Sequence, residues 1–92
     1  MNLLFVCNQG KYRSRTAAEL FGGRFAGVFN GLKEEDLQWA DVVYVFEEHQ
    51  RTEIGKQFPA QYLNKRILNL DIPDNYGYMN AKLVDVLRRK LG

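Results

Sequence analysis

A chain of 92 residues has room for one domain, spanning 1–92, because a polypeptide of this length buries only about 60% of its unfolded surface on folding. With 46% hydrophobic and 26% charged residues, the composition excludes both an intrinsically disordered chain and a membrane-embedded one. The formal charge of +2 comes with no basic stripe of interleaved aromatics, which argues against a nucleic-acid partner.

In chain order, Leu3 to Val6 reads as a buried first strand; it lacks a basic leader and the length that a signal peptide needs. A helix is predicted from Ser14 to about Phe25, then a strand over Gly27 to Phe29 and a helix over Glu34 to Ala40, with Leu37 and Trp39 in the core or at its rim. Val42 to Phe46 reads as a third strand. The helix expected from Glu47 to Phe58 carries the single histidine, His49, read as a solvated residue. Ile67 to Leu70 reads as a fourth strand, and a turn-rich segment leads to a helix over Asn80 to Leu91. There Leu83, Val84, Leu87 and Leu91 share one face, and Arg88, Arg89 and Lys90 complement the dipole at its end. Short apolar runs without clean alternation fit strands buried on both faces, so the expected fold is α/β: a four-stranded parallel sheet flanked by helices. In such a fold ligands sit beyond the carboxyl ends of the strands.

The lone cysteine, Cys7, excludes an intramolecular disulfide, and no Cys/His cluster has metal-site spacing. No metal or other cofactor is therefore expected, and a reducing cytoplasm is the natural compartment. The first strand runs straight into Cys7-Asn8-Gln9-Gly10-Lys11-Tyr12-Arg13-Ser14, and a helix follows at once. A loop of this length lets its backbone N–H groups and a helix N-terminus converge on one anion. The same dipoles, with a guanidinium nearby, favour thiolate over thiol at Cys7. Arg13 offers a planar fork for two phosphate oxygens, and Ser14 is placed to cap the helix or to hydrogen-bond the sulfur. Gly10 permits a positive φ or a close backbone approach to a ligand. Placement between a buried strand and a helix is what lifts this pattern above a chance Cys and Arg spacing.

After the fourth strand, Asp71-Ile72-Pro73-Asp74-Asn75-Tyr76-Gly77-Tyr78 brings two carboxylates and two tyrosines to the same sheet edge. An aspartate there can protonate a leaving group; the same residues also suit a turn that caps the next helix. Asp71 follows the strand directly, whereas Asp74 lies further out beyond the rigidifying Pro73, and Asp74 is the expected acid.

These residues resemble the low-molecular-weight protein tyrosine phosphatases and their short relatives, through Leu3 to Leu20, Glu34 to His49 and Leu70 to Leu87. Cys7, Arg13 and Ser14 match the family's Cys-x5-Arg-Ser loop; the segment from Glu35 through Phe46 is similar to its approach to the third strand. Ile72-Pro73-Asp74-Asn75-Tyr76 resembles its Asp-Pro-Tyr loop. The resemblance implies a cysteinyl-phosphate intermediate, Asp74 as general acid, no metal, and Tyr76 and Tyr78 walling an aryl-phosphate pocket. The phosphate would be held by Asn8, Gln9, Gly10, Lys11, Tyr12, Arg13 and Ser14. The partner is then a phosphorylated substrate, a phosphotyrosine protein or a small aryl phosphate. The chain departs from the family at Gly10, where an asparagine usually braces the loop, at Tyr12, where many members have a second cysteine, and at Asn75, which replaces a proline. The segment after the second strand, which usually helps wall the pocket, shrinks to Gly31 to Lys33.

Other readings stay open at this level. A phospho-ligand-binding module without turnover fits the shortened wall, and arsenate reduction would need an external thiol. A phosphocysteine carrier of the sugar-phosphotransferase IIB kind does not call for Arg13 or for the Asp74 loop.

Overall fold

Four strands, β1 (Leu3–Cys7), β2 (Arg24–Gly27), β3 (Val42–Val45) and β4 (Arg66–Asn69), form one parallel sheet in the order β2-β1-β3-β4 in the computed structural model, which describes residues 1–92. Five helices complete the chain: α1 (Arg13–Phe21), α2 (Glu34–Trp39), α3 (Glu48–Gln57), α4 (Pro59–Asn64) and α5 (Ala81–Leu91).

The two central strands, β1 and β3, are apolar on both faces because both faces are covered. Leu4, Val6, Val43 and Val45 pack with Leu37 of α2 and Ile54 of α3 on one side. Phe5 and Cys7 point the other way, with Phe46, against Ala17 of α1 and Leu83 and Leu87 of α5. This is the alternation a parallel sheet between two helical layers requires, and the α/β expectation holds. Trp39 sits at the rim, where the Arg24 guanidinium lies 4.3 Å from its ring. No helix is long and apolar enough to cross a membrane.

The structure corrects several boundaries. The first helix stops at Phe21 rather than near Phe25, because Gly22 and Gly23 adopt φ of 79° and 107°. A Cβ on Gly23 would strike the Leu3 carbonyl, so the turn can press against β1 only as glycine. The second strand accordingly begins at Arg24 and ends at Gly27. Val28 and Phe29, expected inside it, instead donate their N–H groups to the carbonyls of Cys7 and Asn8 at 2.8 and 3.0 Å, and so flank the cysteine loop. The long helix expected through Phe58 is followed by a separate one: Pro59 drives Phe58 out of the helical region, to φ −134° and ψ 65°, and then opens α4 as its first residue. On α5, Leu83 and Leu87 are fully buried and Leu91 partly so, while Val86 rather than Val84 joins the core. Arg88, Arg89 and Lys90 occupy its last turn, with Arg89 3.2 Å from Asp85.

Asn80 caps α5, its side-chain oxygen accepting from the N–H groups of Lys82 and Leu83 at 2.9 and 3.3 Å. Asn80→Ala removes both bonds and should cost about 1 kcal/mol of stability, with Asn80→Asp within a few tenths of wild type. Urea unfolding should show a lower midpoint for the alanine variant at unchanged slope.

Candidate active site

The order β2-β1-β3-β4 reverses direction at β1, since the chain leaves β1 for β2 on one side and later returns to β3 on the other. A crevice opens at such a switch point beyond the strand ends, and it receives the loop after β1 and the one after β3. The loop after β1 is Cys7 to Tyr12. A cavity of about 180 Å³ lies there, lined by Cys7, Asn8, Gln9, Lys11, Tyr12, Arg13 and Asp74.

Cys7 ends β1, is nearly buried, and places its Sγ 3.0 Å from the hydroxyl of the fully buried Ser14. If the sulfur is ionised, only the hydroxyl can donate in this pair. The backbone N–H groups of Gln9, Gly10, Lys11 and Tyr12 find no acceptor in the protein. Tyr12, at the head of α1, supplies no side-chain cap, and the first turn of α1 holds no acidic residue. By contrast, Gln50 caps α3 and Asn80 caps α5. The loop and the α1 N-terminus therefore present a run of unpaired donors to a site suited to an anion.

Arg13 is only 1% exposed. Its Nη1 donates to the Ile72 carbonyl at 2.8 Å and lies 3.1 Å from Glu47 Oε2; Nε lies 3.7 Å from Asp74 Oδ1, and the guanidinium stands 5.7 Å from the Phe46 ring centre. With Nη1 engaged, the edge formed by Nε and Nη2 is the fork that remains for two oxygens of one oxyanion. Asp74 is about half exposed and lines the cavity. Asp71 does not line it: it adopts a φ of 57°, and its N–H is taken by the Asn69 side chain at 2.9 Å.

Of the residues assigned to phosphate binding, Asn8, Gln9, Lys11, Tyr12 and Arg13 line the cavity, whereas Gly10, Ser14 and Tyr76 do not. Gly10 serves the loop from below. At φ +70° it lies so close to β2 that a Cβ would come within 2.8 Å of Gly27 N and 2.9 Å of the Ala26 carbonyl carbon, so its close approach is to the sheet and not to a ligand. Tyr76 and Tyr78 do not wall the cavity. After Asp74 the chain turns, with Asn75 N donating to the Pro73 carbonyl, and Met79 N is held by Thr16 Oγ1 at 2.9 Å. Tyr76 is thereby directed onto the core beside α5, and Tyr78 lies 4.3 Å from the Arg15 guanidinium. Tyr12 is the aromatic side chain at the cavity.

Three residues were not assigned to the site from sequence. Glu47 holds Arg13. The fully buried Gln50 accepts from the N–H groups of Phe46 and Glu47 through Oε1 and donates from Nε2 to Asn8 Oδ1. His49, read as a solvated helix residue, is half exposed but hydrogen-bonds the same Asn8 oxygen through Nε2. The available signal was Glu47-x-x-Gln50 directly after a buried strand, the mark of a helix N-terminus at the ligand edge of a parallel sheet.

By sequence the chain matches no protein-family model and no curated relative. By structure it is similar to several solved phosphatases. The YwlE arginine phosphatase, in a mutant form with a phosphorylated active-site serine, superposes with a TM-score of 0.73 at 20% identity, over 97% of this chain and 92% of that one. A low-molecular-weight protein tyrosine phosphatase from Bacillus subtilis gives 0.73 at 22% identity, over 97% and 93%. Another from T. tengcongensis gives 0.72 at 22%, over 98% and 92%. The fold is that of the low-molecular-weight protein tyrosine phosphatases. The strand, loop and helix carrying Cys7, Arg13 and Ser14 lie within this shared fold, which extends over nearly the whole chain.

Two glycine substitutions separate strain from contact. Gly22→Ala meets no atom within 4 Å and should cost only the backbone strain of its φ 79°, ψ 169° conformation, a region populated almost only by glycine, about 1 to 3 kcal/mol. Gly10→Ala adds a clash with rigid backbone of β2 and should cost more, and it should also weaken binding of inorganic phosphate, which Gly22→Ala should leave intact. Urea unfolding and phosphate titration of the two variants check this.

Proposed function

We propose that the protein hydrolyses phosphomonoesters, phosphotyrosine in proteins or small aryl phosphates, through a cysteinyl-phosphate intermediate on Cys7. The observation that carries this reading is that Cys7, the clamped Arg13 and Asp74 line one cavity whose floor is a loop of unpaired N–H groups. A binding module has no use for a half-exposed carboxylate 3.7 Å from the arginine that would hold its anionic ligand; a hydrolase does.

In the proposed reaction the phosphoryl group rests on the N–H groups of Gln9 to Tyr12 and on the free edge of Arg13. The thiolate of Cys7 attacks phosphorus in line with the ester oxygen. As the S–P bond forms, the P–O bond breaks, and Asp74 gives its proton to the departing oxygen. Water then attacks the phosphocysteine, Asp74 takes the proton from that water, and the sulfur leaves as thiolate, stabilised by the Ser14 hydroxyl 3.0 Å away. Arg13 contributes most where charge spreads over the equatorial oxygens, in the two transition states. Glu47 and the Ile72 carbonyl, by occupying Nη1, fix the fork before substrate arrives. Tyr12, at the rim of the cavity, is placed to stack on an aryl leaving group. A nucleophilic thiol with no partner cysteine to protect it is suited to the reducing cytoplasm.

Turnover of a chromogenic aryl phosphate, with inhibition by vanadate, tests the proposal. Cys7→Ser should abolish turnover and retain part of the phosphate and vanadate affinity, because a serine hydroxyl in the same loop is scarcely ionised. Arg13→Lys should lose both, since a point charge does not replace the fork. An absence of turnover in the wild type, or substantial activity in Cys7→Ser, would overturn the mechanism.

The acid assignment has its own signature. Asp74→Asn should slow substrates with poor leaving groups by about 10² to 10⁴ and good ones far less, whereas Asp71→Asn should do neither. Initial rates over a series of aryl phosphates of graded leaving-group acidity check it.

A further inference from the structure

We infer that Gln50 is a positioning residue that acts through Asn8, holding the phosphate loop and the arginine clamp in one frame. The inference rests on the phosphatase reading of the site. Gly10 offers the loop no side chain, and among the side chains of Asn8 to Tyr12 only that of Asn8 is hydrogen-bonded within the protein. Its Oδ1 accepts from Gln50 Nε2 at 3.0 Å and from His49 Nε2. Gln50 is fully buried, so its donor has no water to exchange with.

The same amide reaches the other side of the cavity. Gln50 Oε1 accepts from Phe46 N at 2.7 Å and Glu47 N at 2.9 Å, which fixes the backbone that carries the Glu47 carboxylate to Arg13 Nη1. One buried side chain thus sets the start of the cysteine loop against the residue that orients Arg13. His49 contributes a second donor to Asn8, but at half exposure water can take its place. Gln50 does not line the cavity, and its hydrogen bonds go to Phe46, Glu47 and Asn8, so its effect on chemistry passes through Asn8 and Glu47.

A double-mutant cycle with Asn8→Ala, Gln50→Ala and the pair distinguishes this from simple helix capping. The readouts are inorganic phosphate affinity by ³¹P titration, kcat and KM on an aryl phosphate, and the melting temperature. Each single change should weaken phosphate binding about tenfold, and the pair should be no more than about twofold worse than the weaker single variant. Gln50→Ala should also lower the melting temperature by loss of its cap, and that loss should persist in the Asn8→Ala background. Full multiplication of the two effects on phosphate affinity would overturn the inference. Should Gln50→Ala fail to fold, Asn8→Ala leaves the α3 cap intact and decides alone, phosphate affinity within twofold of wild type overturning the bracket. Wild type that binds phosphate without turnover, with a coupled cycle, would sink the phosphatase reading and keep the bracket. Turnover with an additive cycle would do the reverse, and absence of phosphate binding by the wild type would remove both.

Discussion

Burying a guanidinium is costly unless its donors are matched, and Arg13, at 1% exposure, is the buried charge around which this small protein is arranged. Its three partners come from two parts of the chain: the Ile72 carbonyl and Asp74 from the loop after β4, and Glu47 from the junction of β3 and α3. Together they leave Nε and Nη2 without a hydrogen bond from within the protein, in a residue that lines the same cavity as the loop of unpaired N–H groups. Stability and function meet here, because the contacts that make the burial tolerable are also those that orient the fork.

The parallel sheet supplies the setting. Cys7 is the last residue of a central strand and is packed in the core on the side of α1 and α5, which holds its sulfur against the buried Ser14 hydroxyl. The loop then has to climb over the end of β2. It does so through two close approaches, Gly10 against Gly27 from above and Val28 and Phe29 donating to the Cys7 and Asn8 carbonyls from the side. A chain of this size has no spare layer to support the site, so neighbouring strands do that work with their backbones. After β2 the chain meets the cysteine loop through Val28, Phe29 and the Asn30 side chain, which donates to the Gln9 carbonyl, and the Phe29 ring is left exposed.

The loop after β4 illustrates how a residue type can be right and its place different. A Tyr five residues from Asp71 and two from Asp74 looked like a pocket wall, and Asp74 does reach the cavity. The turn at Pro73 and Asn75, with Met79 pinned to Thr16, then rotates Tyr76 onto the core. An aromatic ring gains more from the apolar seam beside α5 than from standing in water at the mouth of an open cavity. The wall is left to Tyr12, from the cysteine loop itself.

What the sequence by itself determined was local and periodic. Apolar runs too unbroken for a two-sided sheet demanded helices on both faces, and a cysteine at the end of the first run, followed by Arg13, Ser14 and a helix, declared an anion loop. The Asp74 loop was legible too, from Pro73 and its place after the last strand. Boundaries were less so: the Gly22-Gly23 turn and the break at Pro59 were written in residue types, but where β2 begins depends on how close the turn lies to Leu3. Only the tertiary structure decided the company each side chain keeps. Glu47 and Gln50 stand 34 and 37 residues from Arg13 in the chain, yet one grips its guanidinium and the other reaches Asn8. Spacing carries no record of such pairs, because they follow from the crossover that sets β3 beside β1, and that pairing is a property of the whole sheet.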